Sequence, residues 1–183
     1  FLSNNTDATI MAFEKDLLTG KILSYLYPEQ KIRIEGFEKI EPTFNEYFDV
    51  ATSNIPFGDI AIFVPIFNNS QDEARRLSAK TIHNYFFVKG LDTVRDSGIV
   101  AFITSQGVMN APLHKAQRQL LMQNADLLSA IRLPNNLFRE VAGTEVGSDL
   151  IVLQKHSGKQ ILNERETAFL DGYTTEIKTN TNL

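Results

Sequence analysis

Short apolar runs alternate with longer amphipathic stretches along this chain. The apolar runs predict β-strands at 9–13, 31–35, 48–52, 99–104, 127–133 and 150–154. Apolar side chains at helical spacing predict helices at 16–26, 72–96 and 113–122. The run at 99–104 is apolar at nearly every position, which is typical of a strand covered on both faces. Because strands alternate with helices, the pattern predicts an α/β fold with an open, mostly parallel sheet.

The residues that follow the first two strands have side chains suited to binding a nucleoside. In open α/β sheets, ligands bind outside the carboxyl ends of the strands. Glu14 follows the first strand, where a carboxylate can accept hydrogen bonds from ribose hydroxyls, although a solvated residue or a helix N-terminal charge is an alternative. Gly36, Phe37 and Glu38 follow the second strand. Phe37 can cover an adenine ring and Glu38 can accept from an amino group, or the three can form a turn with a core phenylalanine.

The loop after the third strand has the most informative sequence in the chain. It reads Asn54, Ile55, Pro56 and Phe57. The side-chain carbonyl of Asn54 and the backbone carbonyl of Ile55 are two acceptors that can hold one amino group. Phe57 then presents an aromatic face on which a flipped base can stack. The alternative is a proline turn that leads into a hydrophobic segment.

Composition narrows the classes of protein that remain. The chain has 183 residues, a net charge of −4, three histidines and no cysteine. Disulfides and thiolate metal sites are therefore excluded, and we predict no metal site. The longest apolar run, from Ile60 to Phe67, contains Pro65 and is too short to span a bilayer. We expect a cytoplasmic protein without a membrane partner. The acidic balance does not by itself indicate nucleic-acid binding.

The loop at Asn54 to Phe57 resembles the motif of amino-methyltransferases, in which a short polar residue, two prolines and an aromatic residue follow the fourth strand. The stretches GIVAFITSQGVMN at 98–110 and AGTEVGSDLIVLQK at 142–155 extend this resemblance. Together with Gly36 to Glu38, they are similar to DNA adenine amino-methyltransferases. The similarity is greatest to the large mobile-element methyltransferase and helicase type and to modification subunits of type I restriction systems. It covers Thr9 to Lys155.

The resemblance implies a class I, Rossmann-like fold that uses S-adenosylmethionine as its cofactor. It implies methyl transfer to the exocyclic amino group of adenine in double-stranded DNA, with the adenine flipped out of the helix. The residues it assigns fall into three groups: Asn54, Ile55, Pro56 and Phe57 as the catalytic loop; Glu14, Phe37 and Glu38 at the cofactor; and Thr104, Ser105, Gly107 and Phe138 around the target base.

This sequence departs from the family pattern at its front and at Ile55. The family begins with a strand and a glycine-rich cofactor loop, and no such loop precedes Glu14. We therefore expect a partial catalytic domain at 1–155, followed by an extension or linker at 156–183. The cofactor loop would lie upstream and a target-recognition or helicase region downstream, so this stretch alone would be inactive. Ile55 stands where the family has its first proline, and it keeps the backbone carbonyl.

Alternatives of other classes remain open at this point. Methylation of RNA or of a protein glutamine would use the same loop, because an amide nitrogen poses the same chemical problem. A non-catalytic anti-restriction or binding domain could keep the fold without turnover. Among the remaining polar residues, surface or capping roles are predicted for His83 and His114, and a solvated helix face is predicted for Arg118.

Overall fold

The computed structural model describes residues 7–58, 60–134 and 147–171. Phe138, predicted near the target base, lies outside the described residues. The elements in chain order are β1 Met11–Phe13, α1 Leu17–Leu26, β2 Lys31–Arg33, β3 Phe48–Asn54, α2 Pro65–Asn68, α3 Glu73–Ser78, α4 Ile82–Thr93, β4 Val94–Ser105, α5 Gly107–Asn110, α6 Lys115–Asn124, β5 Ala125–Arg132, β6 Ser148–Lys155 and α7 Glu164–Asp171.

The chain divides between Pro42 and Thr43 into two compact units. In the first unit, β1 and β2 pair in parallel and α1 connects them. The Asp16 side chain caps α1 by accepting a hydrogen bond from the Thr19 backbone N–H at 2.8 Å. A Cβ atom on Gly20 would lie 2.9 Å from the Ile34 side chain, so glycine lets α1 pack closely against the residues that follow β2.

The second unit contains a four-stranded sheet in the order β3-β4-β6-β5. β3 and β4 are parallel, and β6 is antiparallel to both of its neighbours. Three of these strands therefore run in one direction, which confirms the predicted open and mostly parallel sheet. Val100 and Phe102 of β4 and Ile151 and Leu153 of β6 are buried at its centre. The apolar run predicted to be covered on both faces is thus a central strand.

The single helix predicted at 72–96 is wrong, because two helices occupy most of that stretch. Asp72 caps α3 by accepting from the Ala74 backbone N–H, and the helix ends at Ser78. Thr81 is extended, and its side chain accepts from the Asn84 backbone N–H, which starts α4. Two N-caps in one apolar-periodic stretch separate it into two helices. β4 also begins at Val94, five residues earlier than predicted.

The ends of β3 and β4 lie side by side at one edge of the sheet. The register pairs Ser53 with Phe102 and Asn54 with Ile103. The predicted common edge is therefore confirmed for the loops after these two strands. Glu14 and Gly36 belong to the first unit, so their place on the same edge stays a prediction.

The helix α7 packs within the second unit, beyond the predicted boundary at 155. Glu166 has no exposed surface, and its carboxylate accepts hydrogen bonds from the backbone N–H groups of Leu127 and Asn163 at 3.0 Å each. The Lys159 side chain is 4% exposed and forms an ion pair with Glu166. These contacts connect α7 to β5. The division at residue 155 itself stays a prediction.

The buried pair of Glu166 and Lys159 makes stability sensitive to substitution. Glu166→Gln removes the negative charge, and among the described residues it leaves Lys159 with the half-exposed Asp126, 2.8 Å away, as its remaining charged partner beside the Ala125 carbonyl. Breaking a buried pair costs about 3 kcal/mol. We expect the melting temperature to fall by several degrees, whereas Glu164→Gln, at an exposed position of the same helix, leaves it unchanged.

The same pair predicts a pH dependence. Burial opposes the ionisation of Glu166, but Lys159 and the two backbone N–H groups hold the pKa of Glu166 below its ordinary value. A depressed carboxyl pKa stabilises the folded state above the unfolded pKa of about 4.3, and that stabilisation is lost as the pH falls through the folded pKa. The difference in melting temperature between the wild type and Glu166→Gln should therefore shrink below about pH 4. A constant difference across the pH range would contradict this assignment.

Candidate functional site

The loop after β3 is fixed by Ile55. The Ile55 backbone N–H donates to the Ile103 carbonyl at 2.9 Å, and the Ile55 side chain is 1% exposed. Asn54 and Pro56, on either side of it, are exposed. A proline at position 55 would lack the N–H that makes this hydrogen bond. Isoleucine thus adds a backbone hydrogen bond and a core contact at the position where the resembled motif has its first proline.

Phe57 is half-buried beside α4. Its ring centroid lies 6.4 Å from that of the His83 imidazole, and the two ring planes are inclined by 33°. Gly58 follows with φ of 147°, a conformation that favours glycine. The loop therefore turns away directly after the aromatic residue, and Phe57 keeps part of its surface accessible.

The predicted surface or capping role of His83 is wrong. His83 is 5% exposed, and its Nδ1 lies 2.9 Å from Thr104 Oγ1 while its Nε2 lies 3.3 Å from Ser105 Oγ. The helix α4 precedes β4 and runs antiparallel to it, so its first turn lies beside the carboxyl end of β4. A histidine in that turn, followed by a strand that ends in two hydroxyl residues, is a sequence signal that would have identified this contact.

His114 also has a side-chain contact in the same unit. Its Nδ1 lies 2.9 Å from Nδ2 of Asn84, whose side chain is buried. Asn84 is the neighbour of His83 on α4, so the first turn of this helix contacts both the end of β4 and the segment before α6. The predicted surface or capping role of His114 holds for its position, since it is the N-cap residue of α6, but its side chain contacts Asn84 and makes no capping hydrogen bond.

The residues predicted around the target base lie at the end of β4. Thr104 is fully buried and Ser105 is partly exposed. Gly107 begins α5, immediately beyond the strand. The Gln106 backbone N–H donates to the Gly147 carbonyl at 2.9 Å, so the start of β6 lies against this end of β4. The structure thus brings Thr104 and Ser105 together with His83, and through it with Phe57.

An ion pair at the same edge was missed in the sequence. Asp149 is fully buried, is the register partner of Thr104, and pairs with Arg132 at the end of β5. Burial raises the pKa of the Asp149 carboxyl above its ordinary value, and the Arg132 guanidinium opposes this shift. Arg132 also approaches the Gln106 carbonyl, at 3.4 Å. The pair therefore connects the ends of β5, β6 and β4.

The predicted cofactor residues lie together in the first unit. One oxygen of the Glu14 carboxylate accepts from the Asp16 backbone N–H at 2.8 Å, and the side chain is partly exposed. Phe37 packs edge-on against Phe13 of β1, with ring centroids 6.1 Å apart. The Glu38 carboxylate folds over Gly36, where a Cβ atom would lie 2.1 Å from it. The partly exposed Glu14 directly follows Phe13 in the chain, and Phe13 contacts Phe37, so β1 connects these two predicted cofactor residues.

The prediction that Arg118 lies on a solvated helix face is wrong. Arg118 is 1% exposed and donates hydrogen bonds to the carbonyls of Val108, Ala111 and Leu170. Burial lowers the pKa of this guanidinium. Arg118 therefore has a structural role and is not placed to contact DNA.

The described ranges 7–58, 60–134 and 147–171 hold no group of three or more His, Cys, Asp or Glu side chains that could bind a metal ion. Within the same ranges, every helix is too short or too polar to cross a membrane.

Comparisons with known proteins point to one family. A family model described as N-6 DNA Methylase matches residues 26–183. The chain is 28% identical, over 151 residues, to the Defense against restriction protein B of Escherichia phage P1. That match covers 81% of this chain and spans 6% of the phage protein.

Solved structures share the fold. A modification subunit of a putative type I restriction enzyme from Vibrio vulnificus superposes with a TM-score of 0.67 at 16% identity, over 81% of this chain and 33% of that one. A putative class I S-adenosylmethionine-dependent methyltransferase from Listeria monocytogenes gives a TM-score of 0.60 at 14% identity, over 89% and 49%. The fold is therefore that of class I methyltransferases, as the sequence predicted.

The ion pair at the strand ends predicts an unusual pH response. Arg132→Met removes the guanidinium and leaves the buried Asp149 carboxylate without its partner, which costs about 3 kcal/mol at neutral pH. A carboxyl whose folded pKa is raised destabilises the fold as the pH rises above the unfolded value of about 3.9. Thermal melts should show a lower melting temperature for Arg132→Met at pH 7 and a smaller deficit at pH 5.

The double variant Arg132→Met, Asp149→Asn is the control, because it also removes the buried charge. It should recover much of the stability at pH 7 and lose the pH dependence. An Arg132→Met deficit of equal size at pH 5 and pH 7 would show that packing, and not the charge of Asp149, sets the cost.

Proposed function

Because the chain belongs to the N-6 DNA methylase family, we propose that it carries the reacting centre of an enzyme that methylates the exocyclic amino group of adenine in DNA. The observation that carries the proposal is the arrangement at the end of β3. Ile55 is buried and hydrogen-bonded to β4, while Asn54 and Pro56 are exposed beside the half-buried Phe57. The loop thus presents a backbone acceptor of fixed position, a side-chain acceptor next to it and an aromatic face at the carboxyl edge of the sheet, where ligands of open α/β folds bind.

Two acceptors would orient the target amino group. The Asn54 side-chain carbonyl and the Ile55 backbone carbonyl accept its two hydrogens, so that the nitrogen lone pair faces the methyl donor. The backbone position of Ile55 is fixed by its hydrogen bond to Ile103, so its carbonyl needs little reorganisation as the reaction proceeds. This chemistry requires no strong base, since the amino group sheds its proton after transfer. Positioning supplies the rate enhancement.

Phe57 would hold the flipped adenine by stacking. Its inclined contact with His83 supports the ring, and part of its surface stays accessible. Stacking of a base on an aromatic ring contributes about 1–3 kcal/mol. That contribution offsets part of the cost of removing the base from the duplex.

S-adenosylmethionine is the cofactor that the family implies, and it supplies an electrophilic methyl group when bound. The first unit offers residues that fit its adenosine portion. The partly exposed Glu14 carboxylate can accept from the ribose hydroxyls, and Phe37 can pack on the adenine. Glu38 can accept from the adenine amino group.

Other parts of a longer protein would complete the enzyme. The chain spans 6% of its phage relative and 33% of the Vibrio subunit. We propose that further domains or subunits supply DNA recognition, as the net charge of −4 gives this region no general attraction for phosphate. The similarity to a protein named for defence against restriction favours one second candidate, a role in protecting DNA from restriction.

Substitution of Asn54 tests the proposal directly. In the full-length protein, Asn54→Ala should lower methyl incorporation into adenine-containing DNA by about 100- to 1000-fold, because one well-aimed polar group at a reacting centre is lost. The melting temperature should not change, since Asn54 is exposed. Asn45→Ala, at another exposed asparagine shortly before β3, is the matched control and should keep full activity. Full activity of Asn54→Ala would show that the loop is only a structural turn.

Substitutions of Phe57 distinguish the effect of base stacking from the effect of side-chain volume. Phe57→Ala should weaken binding of adenine-containing duplexes and reduce the rate, by an amount that corresponds to about 1–3 kcal/mol. Phe57→Tyr keeps the aromatic face and should be close to wild type. Phe63→Ala, at a phenylalanine that is 81% exposed, is the control for loss of a ring elsewhere. Equal losses from Phe57→Leu and Phe57→Tyr would contradict a stacking role.

A further inference from the structure

Three side chains form a hydroxyl–imidazole network at the carboxyl end of β4. Thr104 Oγ1 lies 2.9 Å from His83 Nδ1, and Ser105 Oγ lies 3.3 Å from His83 Nε2. Thr104 is fully buried, His83 is 5% exposed, and Ser105 is partly exposed. The burial of the three residues decides how their hydrogen bonds are directed.

The Thr104 hydroxyl proton has one acceptor within the described part of the chain, which is His83 Nδ1. Because a buried hydroxyl proton without an acceptor destabilises the fold, Thr104 donates and Nδ1 accepts. A neutral imidazole with an accepting Nδ1 carries its proton on Nε2. An imidazolium would donate from both nitrogens and would leave the Thr104 proton without an acceptor. The network therefore fixes the Nε2–H tautomer.

This tautomer directs the Ser105 proton away from the network. Because Nε2–H donates to Ser105 Oγ, the Ser105 hydroxyl proton is left to donate to another group. Ser105 is the partly exposed member, and it lies at the edge where β3 ends in Asn54. Phe57 lies beside the same imidazole, with ring centroids 6.4 Å apart. The network thus places one hydroxyl donor near the aromatic face.

Adenine offers a matching acceptor. Its amino group is a donor, and Asn54 and the Ile55 carbonyl take its hydrogens in the proposed function. The ring nitrogens on either side of that amino group, N1 and N7, are acceptors. We propose that Ser105 donates a hydrogen bond to one of these ring nitrogens, and that His83 and Thr104 are positioning residues that direct its proton. This inference rests on the proposed function and adds a specificity-determining residue to it.

The experiment removes the two partners of the proposed hydrogen bond, the Ser105 hydroxyl and the adenine ring nitrogen, one at a time. Full-length wild type and Ser105→Ala are compared on a duplex that the wild type methylates, with adenine, 1-deazaadenine or 7-deazaadenine at the target position. Replacing one ring nitrogen by carbon should lower the wild-type kcat/KM by about 3- to 10-fold, which corresponds to one hydrogen bond. Ser105→Ala should show a similar loss with adenine and no additional loss with that same deaza base. The other deaza base serves as the internal comparison.

Thr104→Val tests the positioning role. Thr104 is fully buried and does not contact DNA, but its loss removes the group that fixes the tautomer. We expect Thr104→Val to reduce the sensitivity to the deaza base, as Ser105→Ala does, and Thr104→Ser to restore it. A purely structural role would change the activity on all three duplexes by the same factor. Ser129→Ala, at a partly exposed serine in the middle of β5, should behave as wild type.

The outcomes separate this proposal from the function on which it rests. If Ser105→Ala and the wild type lose the same factor with each deaza base, the hydrogen bond does not exist, although the methyltransferase assignment stands. If Thr104→Val responds to the deaza bases as the wild type does, the network does not direct the Ser105 proton. A full-length wild type that methylates no adenine in DNA overturns both proposals. If Thr104→Val melts at a much lower temperature, His83→Asn replaces it as the positioning variant.

Discussion

The hydrogen bond from the Ile55 N–H to the Ile103 carbonyl is the interaction on which the candidate site depends. It extends the pairing of β3 with β4 by one residue beyond the last residue of β3. Because the Ile55 side chain is also buried, the position of the loop relative to β4 is fixed. Asn54 and Phe57 then take their positions from the sheet rather than from a flexible turn. A site built on strand ends in this way holds its geometry better than one built on a long loop.

Several buried polar side chains lie at the edge of this sheet, although packing of the strand ends does not require them. Thr104, Ser148 and Asp149 have no exposed surface, and Ser148 Oγ has no hydrogen-bond partner among the described residues. Such groups cost stability unless they are paired. They concentrate at the carboxyl end of β4 and the adjacent amino end of β6, at the edge where open α/β folds bind ligands, which favours residues kept for function rather than for packing.

The sequence predicted much of the sheet and the main loop, and missed contacts that depend on tertiary packing. The apolar run at 99–104 identified the central strand, although its burial alternates and only the face of Val100, Phe102 and Thr104 is fully buried. The polar residues after 52 marked the end of the neighbouring strand. The helix break at Thr81 was missed because apolar spacing continues through it, while capping is decided by one side chain. His83 and Asp149 were missed because their partners, Thr104 and Arg132, are 21 and 17 residues away. Such pairs do not show within one element; they follow only when the packing of neighbouring elements, such as α4 against β4, is taken into account.

Arg118 connects α5, the helix that follows Ser105, to α7, so that a movement of one affects the other. One guanidinium donates to Val108 and Ala111, in and just after α5, and to Leu170 in α7. The fork of donors is rigid, and the charge cannot be left without acceptors in a buried position. α7 therefore cannot shift without moving α5, or without exposing a charge that the fold has enclosed. A force applied to α7 by a neighbouring domain would reach the residues beside Ser105 in part through this one guanidinium, alongside the direct packing of α7 on α5 and α6.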